Sequence, residues 1–112
     1  MSKKSIMVKE TFGQLIRRLR KEHKLPLRKV ASILDIDTST LSKIERNERS
    51  LNKEMLVTLS GLFDADLTEL TIIYLSDKVA YELISENCSE EVLKVAEEKI
   101  LYFRTNNTNK IS

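Results

Sequence analysis

Residues that punctuate or staple a chain are scarce in this sequence. Its 112 residues include one proline, two glycines, one cysteine, one histidine and no tryptophan. So little glycine and proline disfavours turn-rich all-β architectures and suits a helical bundle. The lone cysteine, Cys88, excludes a disulfide within the chain. With His23 as the one imidazole, no zinc ligand set can be assembled, nor a nucleophile–base pair, nor a glycine-rich phosphate loop. The sequence therefore predicts no enzyme, no metal site and no cofactor. No apolar run approaches the roughly 20 residues that cross a bilayer, and residues 1–5 lack the apolar core of a signal peptide. A cytoplasmic protein with no membrane partner is the expectation.

What is present is an ordinary apolar fraction, 41%, with 32% charged residues, enough for one compact domain with a small appendage. The net charge of +2 hides an asymmetry. Residues 1–50 carry 13 Lys and Arg against 6 Asp and Glu, whereas residues 51–112 carry 6 against 11. The halves are thus +7 and −5. A basic half suggests a polyanion-binding face backed by a segment that avoids polyanions, although solvated surfaces would give the same counts.

Helical periodicity runs through most of the chain. Val8, Phe12, Leu15, Ile16 and Leu19 form one apolar stripe, with Arg17, Arg18 and Lys21 turned outward. This first helix should stop near His23 and Lys24, because Pro26 disfavours helical geometry in the residue before it and can itself open the next helix. A second short helix covers residues 27–34. Asp35, Ile36 and Asp37 break the pattern, and Asp37 suits an N-cap for a third helix over 38–46. Asn47 fits the left-handed position that follows a helix. Asn52 caps a fourth helix bearing Met55, Leu56, Leu59, Leu62 and Phe63. Asp66 and Glu69 have capping-box spacing ahead of a fifth helix running to about residue 86. Asn87 and Cys88 form a turn, and Ser89 caps a sixth helix.

Residues 27–46 are the informative piece: a short helix, a three-residue turn and a second short helix. Ala31 is small where two steeply crossing helices need it to be. Asp35 stands where the turn calls for a left-handed backbone. Ile36, Leu41 and Ile44 can bury the second helix against the first, leaving its other face to enter a major groove.

The chain resembles the XRE, or lambda-repressor-like (Cro-type), family of helix-turn-helix regulators. The resemblance covers roughly residues 12–70. It is carried by Ile16, Arg17, Arg18, Leu19 and Arg20; by Val30 and Ala31; by the run Ser39, Thr40, Leu41, Ser42, Lys43, Ile44, Glu45 and Arg46; and by residues 56–63. It implies an all-α fold, a five-helix lambda-repressor-like DNA-binding domain with an appended C-terminal helical hairpin. It also implies a regulator that binds double-stranded DNA, usually as a homodimer on an inverted repeat. Carried over by position, Thr38, Ser39, Ser42 and Lys43 face base edges, while Arg28, Thr40, Arg46, Asn47 and Arg49 contact phosphates. Short hydroxyl side chains near a helix start also bond local backbone, which competes with base contact. Arg20 and Glu45 match a structural ion pair between the first and third helices. Two departures stand out: Leu27 replaces a glutamine that in many relatives anchors phosphate, and Asp35 replaces a glycine.

The expected organisation is a basic arm over 1–7, extended by Lys9; the DNA-binding domain over 8–70; an assembly segment over 71–104; and a disordered tail over 105–112. Tyr74, Tyr81, Ile84, Ile100 and Phe103 are the expected dimer interface. The acidic C-terminal helices also suit a protein partner, as in antitoxins that share this fold and repress their own operon.

Overall fold

The computed structural model describes residues 9–106. Six helices lie within that span: α1 (Phe12–Glu22), α2 (Leu27–Leu34), α3 (Thr38–Glu45), α4 (Lys53–Phe63), α5 (Leu67–Leu83) and α6 (Ser89–Thr105). No strand occurs among the described residues, and no helix among them is long and apolar enough to cross a membrane. The all-α class with extra C-terminal helices is as expected. The basic arm over 1–7, with Lys3 and Lys4, and the tail beyond residue 106 lie outside the described residues. Thr105, placed in that tail by composition, ends α6, and its hydroxyl donates to the Leu101 carbonyl at 2.8 Å.

Two compact units divide between Lys78 and Val79, eight residues past the end expected for the DNA-binding domain at 70. The reason lies in side chains on α5. Ile73 and Tyr74 are buried with Leu70 in the first unit's core. The Asp77 carboxylate accepts the Phe12 N–H at 2.6 Å, placing a negative charge at the positive end of α1. Tyr74, expected at a dimer interface, is 7% exposed and packed in this core. Its ring meets Phe12 edge to face, with centroids 5.2 Å apart. Its hydroxyl donates to the Leu51 carbonyl, and the Lys78 ammonium lies over the ring.

The first unit has one continuous core. Phe12, Leu15 and Ile16 of α1 meet Val30, Ala31 and Leu34 of α2, Leu41 and Ile44 of α3, and Leu56, Leu59 and Phe63 of α4. Helix starts follow local side-chain chemistry. Thr11 and Gln14 form a reciprocal capping box, which begins α1 at Phe12; Val8, expected on this stripe, lies outside the described residues. The Asp37, Asn52 and Asp66 side chains accept the N–H groups of Thr40, Met55 and Glu69. Lys24, Asp35, Asn47 and Asp64 take positive φ of 51–63° at or just past helix ends. None of the four is glycine, so each turn bears some left-handed strain, least at the Asp and Asn positions.

In the second unit, α5 ends at Leu83, and the Glu86 N–H closes a turn on the Leu83 carbonyl. Ser89 is the first residue of α6 rather than its cap. Cys88 holds the cap position and makes no side-chain capping bond. No residue of α6 is buried.

Candidate nucleic-acid interface

The turn between α2 and α3 is held by its own backbone. The Asp35 and Ile36 N–H groups donate to the Ser32 and Ala31 carbonyls at 3.1 and 3.0 Å. Asp35 sits at φ 60°, and Ile36 packs against the core. This is the closure that left-handed helix ends use, and it satisfies α2's last carbonyls while redirecting the chain into α3.

Helix α3 divides cleanly into two faces. Leu41, Ile44 and Glu45 are buried. Ser39, Lys43 and Arg46, spaced i, i+4 and i+7 on the opposite side, are exposed, with Ser42 beside them half-buried. Thr38 is exposed at the helix start, and Thr40 is half-buried on a flank. A shallow groove lined by Arg28, Ser32, Asp35, Asp37 and Thr38 brings the start of α2 alongside the start of α3.

The two helix starts differ electrostatically. Pro26 offers α2 no side-chain cap, and Arg28 and Lys29 are exposed at that end. Its first N–H groups and positive dipole end are open to an anion. The start of α3 is occupied by Asp37, whose carboxylate accepts the Thr40 N–H at 2.7 Å and the Ser39 hydroxyl at 2.8 Å. These bonds, the backbone N–H of Thr40 foremost, pull the Asp37 carboxyl down to about 2. An ionised carboxylate there repels phosphate. The start of α2 is thus the more electropositive of the two.

Several side chains expected to face a ligand also bond within the protein. Ser42 Oγ accepts from Arg46 Nη1 at 2.5 Å. Arg46 pairs with Glu48 at 3.1 Å, an exposed pair that raises the guanidinium pKa and lowers that of the Glu48 carboxyl. Asn47, although exposed, has its amide directed to the start of α1. Its Oδ1 accepts the Gly13 N–H at 3.1 Å, and its Nδ2 donates to Thr11 Oγ1 at 2.8 Å. Arg49 is exposed, and Lys9 likewise.

Arg20 and Glu45 form a two-point pair, Nε to Oε2 at 2.7 Å and Nη2 to Oε1 at 3.1 Å, while Arg20 Nη1 donates to the Leu25 carbonyl at 3.0 Å. Only 12% of the Arg20 and 5% of the Glu45 side chain is exposed. A Cβ at Gly13 would lie 2.5 Å from the Ile44 carbonyl oxygen and 2.7 Å from that of Glu45. The start of α1 therefore abuts the end of α3 backbone to backbone. Sequence reasoning missed Gly13 and Asp77. The Thr11–Gln14 spacing of a capping box was the available signal for where α1 begins; nothing local marks Asp77, which acts 65 residues away.

On the second unit, Tyr81, Ile84 and Ile100 are exposed, Ile84 by 79%, and Phe103 is partly covered, its ring 6.0 Å from that of Tyr102. Val79, Val92, Val95, Leu101 and Tyr102 are exposed as well. No cluster of His, Cys, Asp and Glu among the described residues could hold a metal ion.

Residues 16–70 match the helix-turn-helix family. Over 71 residues the chain is 34% identical to a Thermococcus gammatolerans protein named as an HTH-type transcriptional regulatory protein. The aligned segment is 63% of this chain but 22% of that relative, so the chain matches about a fifth of the relative's length. No solved structure matches the chain.

Proposed function

The chain belongs, through residues 16–70, to the helix-turn-helix family, and from that premise we propose that it is a transcription regulator binding double-stranded DNA. It reads an inverted repeat as a homodimer, with α3 in the major groove of each half-site. The observation that carries this reading is the division of α3. One face is locked into the core by Leu41, Ile44 and the Arg20–Glu45 pair, and the other offers Ser39, Ser42 and Lys43 to solvent. A rigid helix with short polar side chains and one lysine outward suits base edges.

Docking proceeds through phosphates first. The uncapped start of α2 with Arg28 takes one phosphate, and Arg46 and Arg49 take others past the end of α3. Thr40 on the flank reaches the backbone. Leu27 packs partly against the core rather than offering a side-chain donor, which leaves the helix N–H groups and Arg28 to do that task. Asn47, with its amide committed to α1, contributes only through the backbone that follows it.

Homodimerisation uses the second unit. A 17-residue helix with no buried residue is marginal in water alone. Val92, Val95 and Ile100 lie exposed on it, and their apolar surface favours being covered. A second copy is the occupant that symmetric operator binding requires. A foreign protein, as for an antitoxin, is the competing occupant. Ile84→Glu with Ile100→Glu, both beyond the first unit, should abolish exchange between tagged and untagged subunits; unchanged exchange would remove these helices from the interface.

Selection of binding sites from random duplex DNA by the full chain, at near-physiological salt, tests the main claim. Enrichment of an inverted repeat with half-sites about 34 Å apart supports it. No enrichment, with binding that collapses as salt rises, would reduce the basic half to a nonspecific electrostatic footprint.

A further inference from the structure

We propose that Asp37 and Ser39 together read an exocyclic amino group in the major groove, selecting adenine or cytosine over guanine or thymine at one position of each half-site. The inference rests on the DNA-binding reading above and specifies the chemistry of one contact within it.

A serine hydroxyl has one proton and two lone pairs, and free in solution it can present either. Here the choice is made internally. Ser39 Oγ lies 2.8 Å from Asp37 Oδ1, and the hydroxyl donates to it. The same carboxylate caps α3 through the Thr40 N–H at 2.7 Å, so helix geometry fixes its position. Its carboxyl, pulled down to about 2 mainly by that N–H, stays ionised wherever duplex DNA is stable, and an ionised carboxylate only accepts. The Ser39 proton is thereby turned toward Asp37. What the exposed start of α3 shows outward is lone pairs, from Ser39 Oγ and from the second Asp37 oxygen.

The major groove makes this polarity informative. Adenine N6 and cytosine N4 are donors there, whereas guanine O6 and N7 and thymine O4 are acceptors. An acceptor-only edge bonds the first pair and repels the second. Three residues on, Ser42 keeps its proton. Its oxygen accepts from Arg46 at 2.5 Å, which leaves that proton and one lone pair for other partners. Lys43, four residues from Ser39 on the same exposed side, only donates. The recognition face thus runs from acceptor at its start to donor at its middle, a polarity that residue types alone do not reveal.

The test is competition binding of the full chain to its selected duplex, with every half-site position replaced in turn by each base. Wild type, Ser39→Ala and Asp37→Gly are compared; glycine is tolerated as an N-cap and removes the carboxylate. One position should favour adenine or cytosine by about three- to tenfold, the range for one hydrogen bond. Both variants should flatten that preference and leave the remaining positions unchanged. The inference is overturned if Ser39→Ala changes no position or flattens one that favours guanine or thymine, or if Asp37→Gly retains the amino preference. Ser39→Ala alters an exposed side chain only, so its profile decides even if Asp37→Gly unfolds α3. A wild-type site without an amino-selective position would sink this inference alone; a wild type with no sequence preference would sink the DNA reading as well.

Discussion

Replacing Gly13 with alanine tests how closely α1 must approach the recognition helix. The added Cβ would lie 2.5 Å from the Ile44 oxygen and 2.7 Å from the Glu45 oxygen, both backbone atoms. Ordinary C···O contacts begin near ~3.3 Å, so the two helices must separate by roughly 0.8 Å to clear the Ile44 oxygen. Overpacking of this kind costs about 1–3 kcal/mol. The same movement stretches the Gly13 N–H bond to Asn47 and the Asn47 bond to Thr11, each worth about 1 kcal/mol. Alanine's better helix propensity returns about 1 kcal/mol. The expected net loss is about 2–4 kcal/mol. Gly61, in α4 with nothing within 4 Å of a built Cβ, is the internal control. Gly61→Ala should stabilise by about 0.5–1 kcal/mol. Urea unfolding of both variants reads the difference as opposite midpoint shifts at unchanged slope. Gly13→Ala within about 0.5 kcal/mol of wild type would refute the close approach.

Three further substitutions probe the framework of the same unit. Arg20→Ala should cost about 3–5 kcal/mol, because it strands the buried Glu45 carboxylate; a loss below ~1 kcal/mol in urea unfolding would show the pair to be dispensable. Tyr74→Phe keeps the ring against Phe12 but removes the donor to the Leu51 carbonyl, and should cost about 1–2 kcal/mol, while an unchanged midpoint would show that water replaces the bond. Asp37 governs an acid limb. Its folded pKa, about 2, lies below the ordinary 3.8, so its stabilisation is present above about pH 4 and is lost as pH falls through about 2. Asp37→Asn retains a capping oxygen but not the charge. Its midpoint deficit should shrink steadily from about pH 5 to pH 2, and a constant deficit would refute the assignment.

How much of this was legible depended on how local each cause was. The turn at Asp35–Ile36–Asp37 could be read because left-handed geometry, capping and core burial are all decided within a few residues. Helix ends at His23 and Asp64 were equally local. The burial of Tyr74 was not legible, because a stripe of aromatic residues on a long helix does not say where along it one core ends. That boundary is set by Phe12 and Leu51, which are 62 and 23 residues distant in the chain. Gly13 carried no signal, since its need arises from carbonyls of α3 that approach only in the folded state. Within the candidate interface, sequence identified which side chains line α3. It could not show that the Ser39 proton is given to Asp37 while that of Ser42 stays free, or that the Asn47 amide is spent on α1. Those are properties of partners and not of residue type.

Reading of a base sequence would fall to the outward face of α3. Affinities of wild type, Lys43→Ala and Lys94→Ala for the selected duplex and its single-base variants would measure it, with Lys94, exposed on α6, as the charge-matched control. Lys43→Ala should lose roughly five- to 100-fold on the preferred duplex, about 1–3 kcal/mol, and become indifferent at one position per half-site. Lys94→Ala should keep the wild-type profile at every position. Equal losses in both variants, spread evenly over all sequences, would contradict a reading helix and leave only charge.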